Sequence, residues 1–87
     1  MVPVEMYTTP LCGYCHAAKR LLDAKGASYV DRDVSRDREL RAEMERRSGR
    51  RTTPQIWIGE THVGGYDDLA ALEREGRLNG LLGTPAA

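Results

Sequence analysis

Between residues 4 and 8 apolar and polar side chains alternate (Val-Glu-Met-Tyr-Thr), the period of a strand with one face buried. Pro10 ends that pattern, and from residue 13 the spacing changes. Ala17, Ala18, Leu21 and Leu22 fall on one stripe, which predicts a helix over 13–25 with Gly26 as its left-handed cap. Residues 28–33, centred on Tyr29 and Val30, return to a strand. The stretch 35–48 is strongly charged, with Leu40 and Met44 four residues apart and facing inward. It predicts a second helix, capped by Ser35 and ended by Gly49. Pro-Gln-Ile-Trp-Ile-Gly over 54–59 is a third strand, turning at Gly59-Glu60 into a short fourth over 61–63. After Gly64-Gly65, residues 67–75 form a third helix, and 78–82 turn their leucines back on the core. The last residues, 83–87, read as a frayed tail.

The order is therefore β-α-β-α-β-β-α. A crossover pairs the first two strands in parallel, and a hairpin supplies the last two. The expected class is α/β: one four-stranded mixed sheet with helices on both faces. Eighty-seven residues make one domain, 1–87, large enough for a single core without metal or disulfide staples. The 13 basic and 13 acidic side chains cancel, so no global field favours nucleic acid or a membrane surface. The N-terminus lacks the basic and apolar regions of an export signal, and the apolar runs are too short to span a bilayer. Two cysteines occur, both in one C-x-x-C, so they cannot staple distant parts of the chain. That pattern points to a cytoplasmic protein with redox or metal chemistry.

A reactive cysteine must be a thiolate near neutral pH, whereas a free thiol has a pKa of about 8.5. Cys12 lies where the first helix begins. There its sulfur meets unpaired backbone N–H groups and the positive end of the helix dipole, both of which favour the anion. Cys15 lies one turn further in and lacks those donors, so it is expected to stay a thiol until Cys12 forms a mixed disulfide. Three other readings compete. Half a zinc site needs two more ligands, and only His16 and His62 offer imidazoles, His16 on a different face of the helix. Cys12-Gly13-Tyr14-Cys15-His16 also matches the C-x-x-C-H haem-attachment pattern, though without an export signal and in the wrong structural setting. An inert core pair fits poorly with a helix start beside a proline-containing loop.

Several separated elements together resemble the glutaredoxins, specifically the small bacterial dithiol class. They are Tyr7-Thr8-Thr9, Cys12-Gly13-Tyr14-Cys15, Arg47-Ser48-Gly49-Arg50, Thr52-Thr53-Pro54-Gln55-Ile56 and Gly64-Gly65-Tyr66-Asp67-Asp68-Leu69. The resemblance covers essentially the whole chain and implies a thioredoxin-like fold. It implies a glutathione-dependent disulfide oxidoreductase with Cys12 and Cys15 as catalytic residues, reducing protein disulfides and glutathionylated proteins. It also implies a cis peptide before Pro54, although only about 5–6% of X–Pro bonds in folded proteins are cis. The Thr53 backbone would then pair with the cysteinyl unit of glutathione like one rung of an antiparallel ladder.

By the same resemblance the start of the third helix, with Tyr66 and Asp67, takes the γ-glutamyl end. An aspartate there is also a plain helix cap. Tyr14 shapes the groove, and Arg41 on the second helix contacts the glycyl carboxylate. Trp57 is expected to pack in the core and His62 to lie at the surface. Two positions depart from the family. Thr9 stands where a lysine is common, and Gly13 where the dithiol class usually has proline. Some members with that glycine bridge a [2Fe–2S] cluster between two subunits, so Cys12 is a candidate cluster ligand as well as a nucleophile. The chain is expected to be a monomer, dimeric only with a cluster.

Overall fold

Alternation along the first strand decides how the sheet is covered. In the computed structural model, which describes residues 1–83, β1 (Val4–Thr8) lies inside the sheet. It pairs in parallel with β2 (Tyr29–Asp33) and antiparallel with β3 (Gln55–Ile58). β3 pairs antiparallel with β4 (Thr61–Gly64), so the strand order is β2-β1-β3-β4. Val4 and Met6 of β1 face the same way as Ile56 and Ile58 of β3. They pack against Ala18 and Leu22 of α1 (Gly13–Ala24), Leu69 of α3 (Tyr66–Arg74) and Leu78 and Leu82 of α4 (Leu78–Leu82). Tyr7 and Trp57 point to the opposite face, where Val34 and the Leu40 and Met44 side chains of α2 (Arg38–Ser48) cover them. This is the mixed sheet with helices on both faces, and a thioredoxin-like fold.

The α2 face is closed by charge as well as by apolar contact. Arg32 Nε and Arg47 Nη1 each donate to the Glu5 carboxylate at 2.6 Å. Arg47 also donates to the Tyr7 hydroxyl at 2.6 Å, and that hydroxyl donates to Glu43 Oε2 at 2.7 Å. The guanidinium lies 4.2 Å from the Trp57 ring centroid. Burial acts to raise the Glu5 pKa, but the bonds from Arg47 and Arg32 outweigh it and hold the carboxyl below its ordinary value.

Element boundaries differ from the expected ones where two residue types compete for one role. α2 starts at Arg38, and its cap is Asp37, whose Oδ1 accepts from Leu40 N at 3.0 Å. Ser35 is not the cap; its N–H donates to Asp33 Oδ1 at 2.8 Å. Both residues are good caps, and the anchoring of Leu40 against the core selects the one three positions before it. Gly49 ends the helix in the left-handed conformation as expected, at φ 71°. α3 opens at Tyr66 with Gly65 as N-cap, so Asp67 lies inside the first turn and is not the cap. The leucine segment over 78–82 is a helix of its own, tied to the N-terminus by Val2 N donating to Leu82 O at 2.9 Å. Of the expected tail, 84–87 lie outside the described residues. Among the described residues no helix is long and apolar enough to cross a membrane.

The cap assignment has a direct test. Replacing Asp37 by Ala should cost about 1 kcal/mol of unfolding free energy in urea, the usual worth of a cap. Ser35→Ala should stay within about 0.5 kcal/mol of the parent, as for surface changes away from such features.

Candidate active site

The loop from β1 delivers Cys12 to the N-cap position of α1, with extended backbone angles (φ −93°, ψ 110°). A cap needs a side-chain acceptor for the free N–H groups of the first turn. Here that acceptor is sulfur: Cys12 Sγ accepts from Cys15 N at 3.1 Å. When protonated it also donates to Thr53 O at 3.5 Å. Burial by itself raises the Cys12 pKa. The bonds from the Cys15 and Thr53 side chains and from the Cys15 and Tyr14 backbone outweigh it, and the thiol sits below its ordinary value. No acidic residue in the first turn of α1 opposes the anion.

Cys15 has the opposite environment. It is fully buried, and burial together with its bond to the Cys12 sulfur pushes its pKa up to about 11. Both cysteines are free thiols. The pair therefore offers one poised nucleophile and one protonated thiol a single helical turn below it.

A groove of about 320 Å³ opens beside this pair. One wall is the segment 52–54 leading into β3, whose Thr53-Pro54 peptide is cis, as the resemblance implied. The other comprises Gly65, Tyr66, Asp67 and Asp68 at the start of α3. Tyr14 and Tyr66 line it with rings stacked at 6.3 Å between centroids and 24° between planes. Gly65 has no side chain with which to cap α3, and Asp68 instead reaches back to accept from Gly65 N at 3.0 Å. That bond, joined by Arg50 Nη1 at 3.1 Å from Asp68 Oδ2, holds the Asp68 carboxyl below its ordinary value. Gly64, at φ 112°, makes room for this fold-back. A Cβ there would collide with the Asp68 carboxylate and crowd the Arg50 guanidinium.

The structure thus brings Tyr14, Thr53, Pro54, Tyr66 and Asp67 to one groove, next to Cys12 and with Cys15 beneath it. Arg41 lies on α2 and does not line it; the arginine on its wall is Arg50. Arg50 was one of several neighbouring arginines in the sequence, and only the path of the chain after Gly49 separates it from the others. Trp57 packs in the core as expected, edge-on to Tyr7 at 5.4 Å. His62 corrects the surface expectation. It is half-buried, stacked on Trp57 at 4.6 Å, and its Nε2 lies 2.8 Å from Gln55 Oε1. His16 Nε2 donates to Pro10 O at 2.8 Å, which ties the loop before the motif to the helix. A Cβ on Gly13 would meet nothing within 4 Å, so packing does not demand a glycine there.

Residues 4–63 match the family model described as Glutaredoxin. A glutaredoxin of Pseudomonas aeruginosa is 56% identical over 82 residues, covering 94% of this chain and 98% of that protein. Among solved structures, a glutaredoxin of Brucella melitensis is 57% identical, with a TM-score of 0.85 over 100% of this chain and 95% of its own. A buckwheat glutaredoxin in complex with glutathione is 30% identical, with a TM-score of 0.87 over 94% of this chain and 77% of its own.

The asymmetry of the two thiols predicts the alkylation profile of the reduced protein. Iodoacetamide should modify Cys12 first, at a rate whose midpoint in pH lies below that of a free thiol at about 8.5. In short exposures near neutral pH Cys15, buried and with its pKa raised, should remain largely unmodified while Cys12 reacts, which peptide mapping after timed quenching would read.

Proposed function

Because this chain belongs to the glutaredoxin family of thiol oxidoreductases, we propose that it reduces glutathione mixed disulfides and protein disulfides at the expense of glutathione. The observation that carries this reading is the sulfur of Cys12, capping α1 within reach of the Thr53 carbonyl at the edge of a peptide-sized groove. The Cys12 thiolate attacks one sulfur of the substrate disulfide. A new S–S bond forms to Cys12, the old one breaks, and the leaving sulfur departs as a thiolate that takes up a proton.

That first step changes Cys15. Part of what keeps its thiol protonated is the Cys12 sulfur beside it, and a mixed disulfide carries no charge there. The Cys15 pKa then falls, its proton passes to solvent, and its thiolate displaces the bound thiol to give the intramolecular disulfide. Two glutathiones return that disulfide to two thiols and leave as glutathione disulfide. With a glutathionylated substrate, a second glutathione can instead attack the mixed disulfide at Cys12 directly.

Within the groove, the Thr53 backbone offers a donor and an acceptor to the cysteinyl unit of glutathione. Past Gly65, whose own N–H is taken by Asp68, the first turn of α3 from Tyr66 on offers N–H groups to the γ-glutamyl carboxylate, with Asp67 set to meet its ammonium group. We assign the glycyl carboxylate to Arg50, the cation already on the wall, and not to Arg41 on α2. For a [2Fe–2S] cluster, Cys12 is the sulfur of this chain that would serve, since Cys15 is fully buried. No three metal-ligating side chains gather among the described residues, so the remaining ligands would come from a second copy and from glutathione.

The test is turnover of a small glutathione mixed disulfide, coupled to glutathione reductase. Cys12→Ser should reduce the rate to background, and full activity in that variant would overturn the assignment. Cys15→Ser should keep turnover of the glutathione mixed disulfide while losing reduction of a protein disulfide, because only the latter needs an intramolecular resolving thiol.

A further inference from the structure

Gln55 is a fully buried polar side chain in a strand that is otherwise apolar, so its amide must be satisfied within the protein. Its Nε2 donates to Thr52 O at 3.0 Å and approaches Thr52 Oγ1 at 3.2 Å. A carbonyl can only accept, which places the amide nitrogen toward Thr52 and the amide oxygen toward His62 Nε2 at 2.8 Å. His62 Nε2 therefore carries the hydrogen. The ring is held from behind by its stack on Trp57, at 4.6 Å and 27° between planes. Burial, with help from the Arg50 and Arg47 charges, lowers the His62 pKa, so a neutral Nε2–H tautomer fits the site.

These bonds form a chain that ends at the groove. β3 begins at Gln55, and Thr52 and Thr53 precede its ladder. The Gln55 amide therefore holds a segment that the sheet itself does not pair. Thr53 is the next residue, and its carbonyl lies 3.5 Å from Cys12 Sγ. His62 is not among the residues that line the groove. We propose that His62 is a positioning residue: through the buried amide of Gln55 it orients the segment 52–54 against which the substrate's peptide backbone pairs. The inference rests on the reading that Thr53 binds glutathione.

Two variants separate the hydrogen bond from the ring stack. His62→Phe keeps a ring on Trp57 and removes the donor; His62→Gln loses the ring and returns an N–H donor near the place of Nε2. His62→Phe should raise KM for a glutathione mixed disulfide about five- to tenfold, the effect of one ordinary hydrogen bond, with kcat within about twofold. His62→Gln should return KM to within about twofold of the parent. An unchanged KM in His62→Phe, or a His62→Gln protein no better than His62→Phe, would overturn the proposal.

If His62→Phe does not fold, Gln55→Met breaks the same chain from its other end and carries the same expectation for KM and kcat. Failure of the underlying reading looks different, because the parent protein would then show no glutathione-dependent turnover. In that event proton exchange still decides the inference. The Gln55 side-chain amide and the Thr53 N–H should exchange faster in His62→Phe than in the parent, and equal rates would refute the link.

Discussion

The first turn of α1 lacks an acceptor for its free N–H groups, and in this chain a sulfur atom supplies one. Much of the site is arranged around that bond. An oxygen cap would satisfy the helix and be chemically inert. A sulfur cap is a better acceptor as an anion than as a thiol, so the demand of the helix end and the ionisation of Cys12 reinforce each other. The same bond sets the two cysteines apart, since the residue whose N–H is donated is the one whose own thiol lies buried below.

Holding that sulfur against a peptide edge requires two elements distant in sequence to meet. β1 leads into Cys12 and β3 emerges from Pro54, and the two strands are direct neighbours in the sheet. Their pairing brings the ends of both to one side, with the start of α3 completing the groove. Gly64 permits the last wall: its open backbone lets Asp68 fold over Gly65 while Arg50 closes on the carboxylate from the α2 side. Behind the groove, the α2 face of the sheet carries a cluster of polar groups. Glu5, Tyr7, Arg47, Gln55 and His62 all lie there, yet each has a partner, and among the described residues no buried side-chain polar atom is left without one. Such a network is rigid because moving one member would strand another.

Much of this was legible in the chain before any coordinates. The helical stripe from Ala17 to Leu22 and the paired leucine and methionine of α2 report which side faces the core, and burial obeys them; β1, whose alternation reads as one buried face, is covered on both because α2 packs over Tyr7. Helix ends were less legible where cap residues cluster, as Ser35 and Asp37 do, because capping preference does not rank two good caps and packing does. Among the arginines from 46 to 51 the residue type carries no address. Arg47 became a buried-face partner of Glu5 and Trp57, Arg50 a groove wall, and Arg51 an exposed partner of Glu45.

The sequence by itself determined the order of elements, the two-faced sheet and the position of a cysteine at a helix start, because each of these is written in local periodicity and local capping chemistry. It also pointed to Thr53, Pro54, Tyr66 and Asp67 as partners of that cysteine, though only through the pattern of a family. The tertiary structure decided what depends on distance across the fold. It turned the Thr53 carbonyl toward Cys12, chose Arg50 over Arg41 for the groove wall, and took His62 from the surface to a bond with Gln55. Those are contacts between residues 7 to 41 positions apart. No local pattern encodes them, because they exist only once the register of β1, β3 and β4 is set.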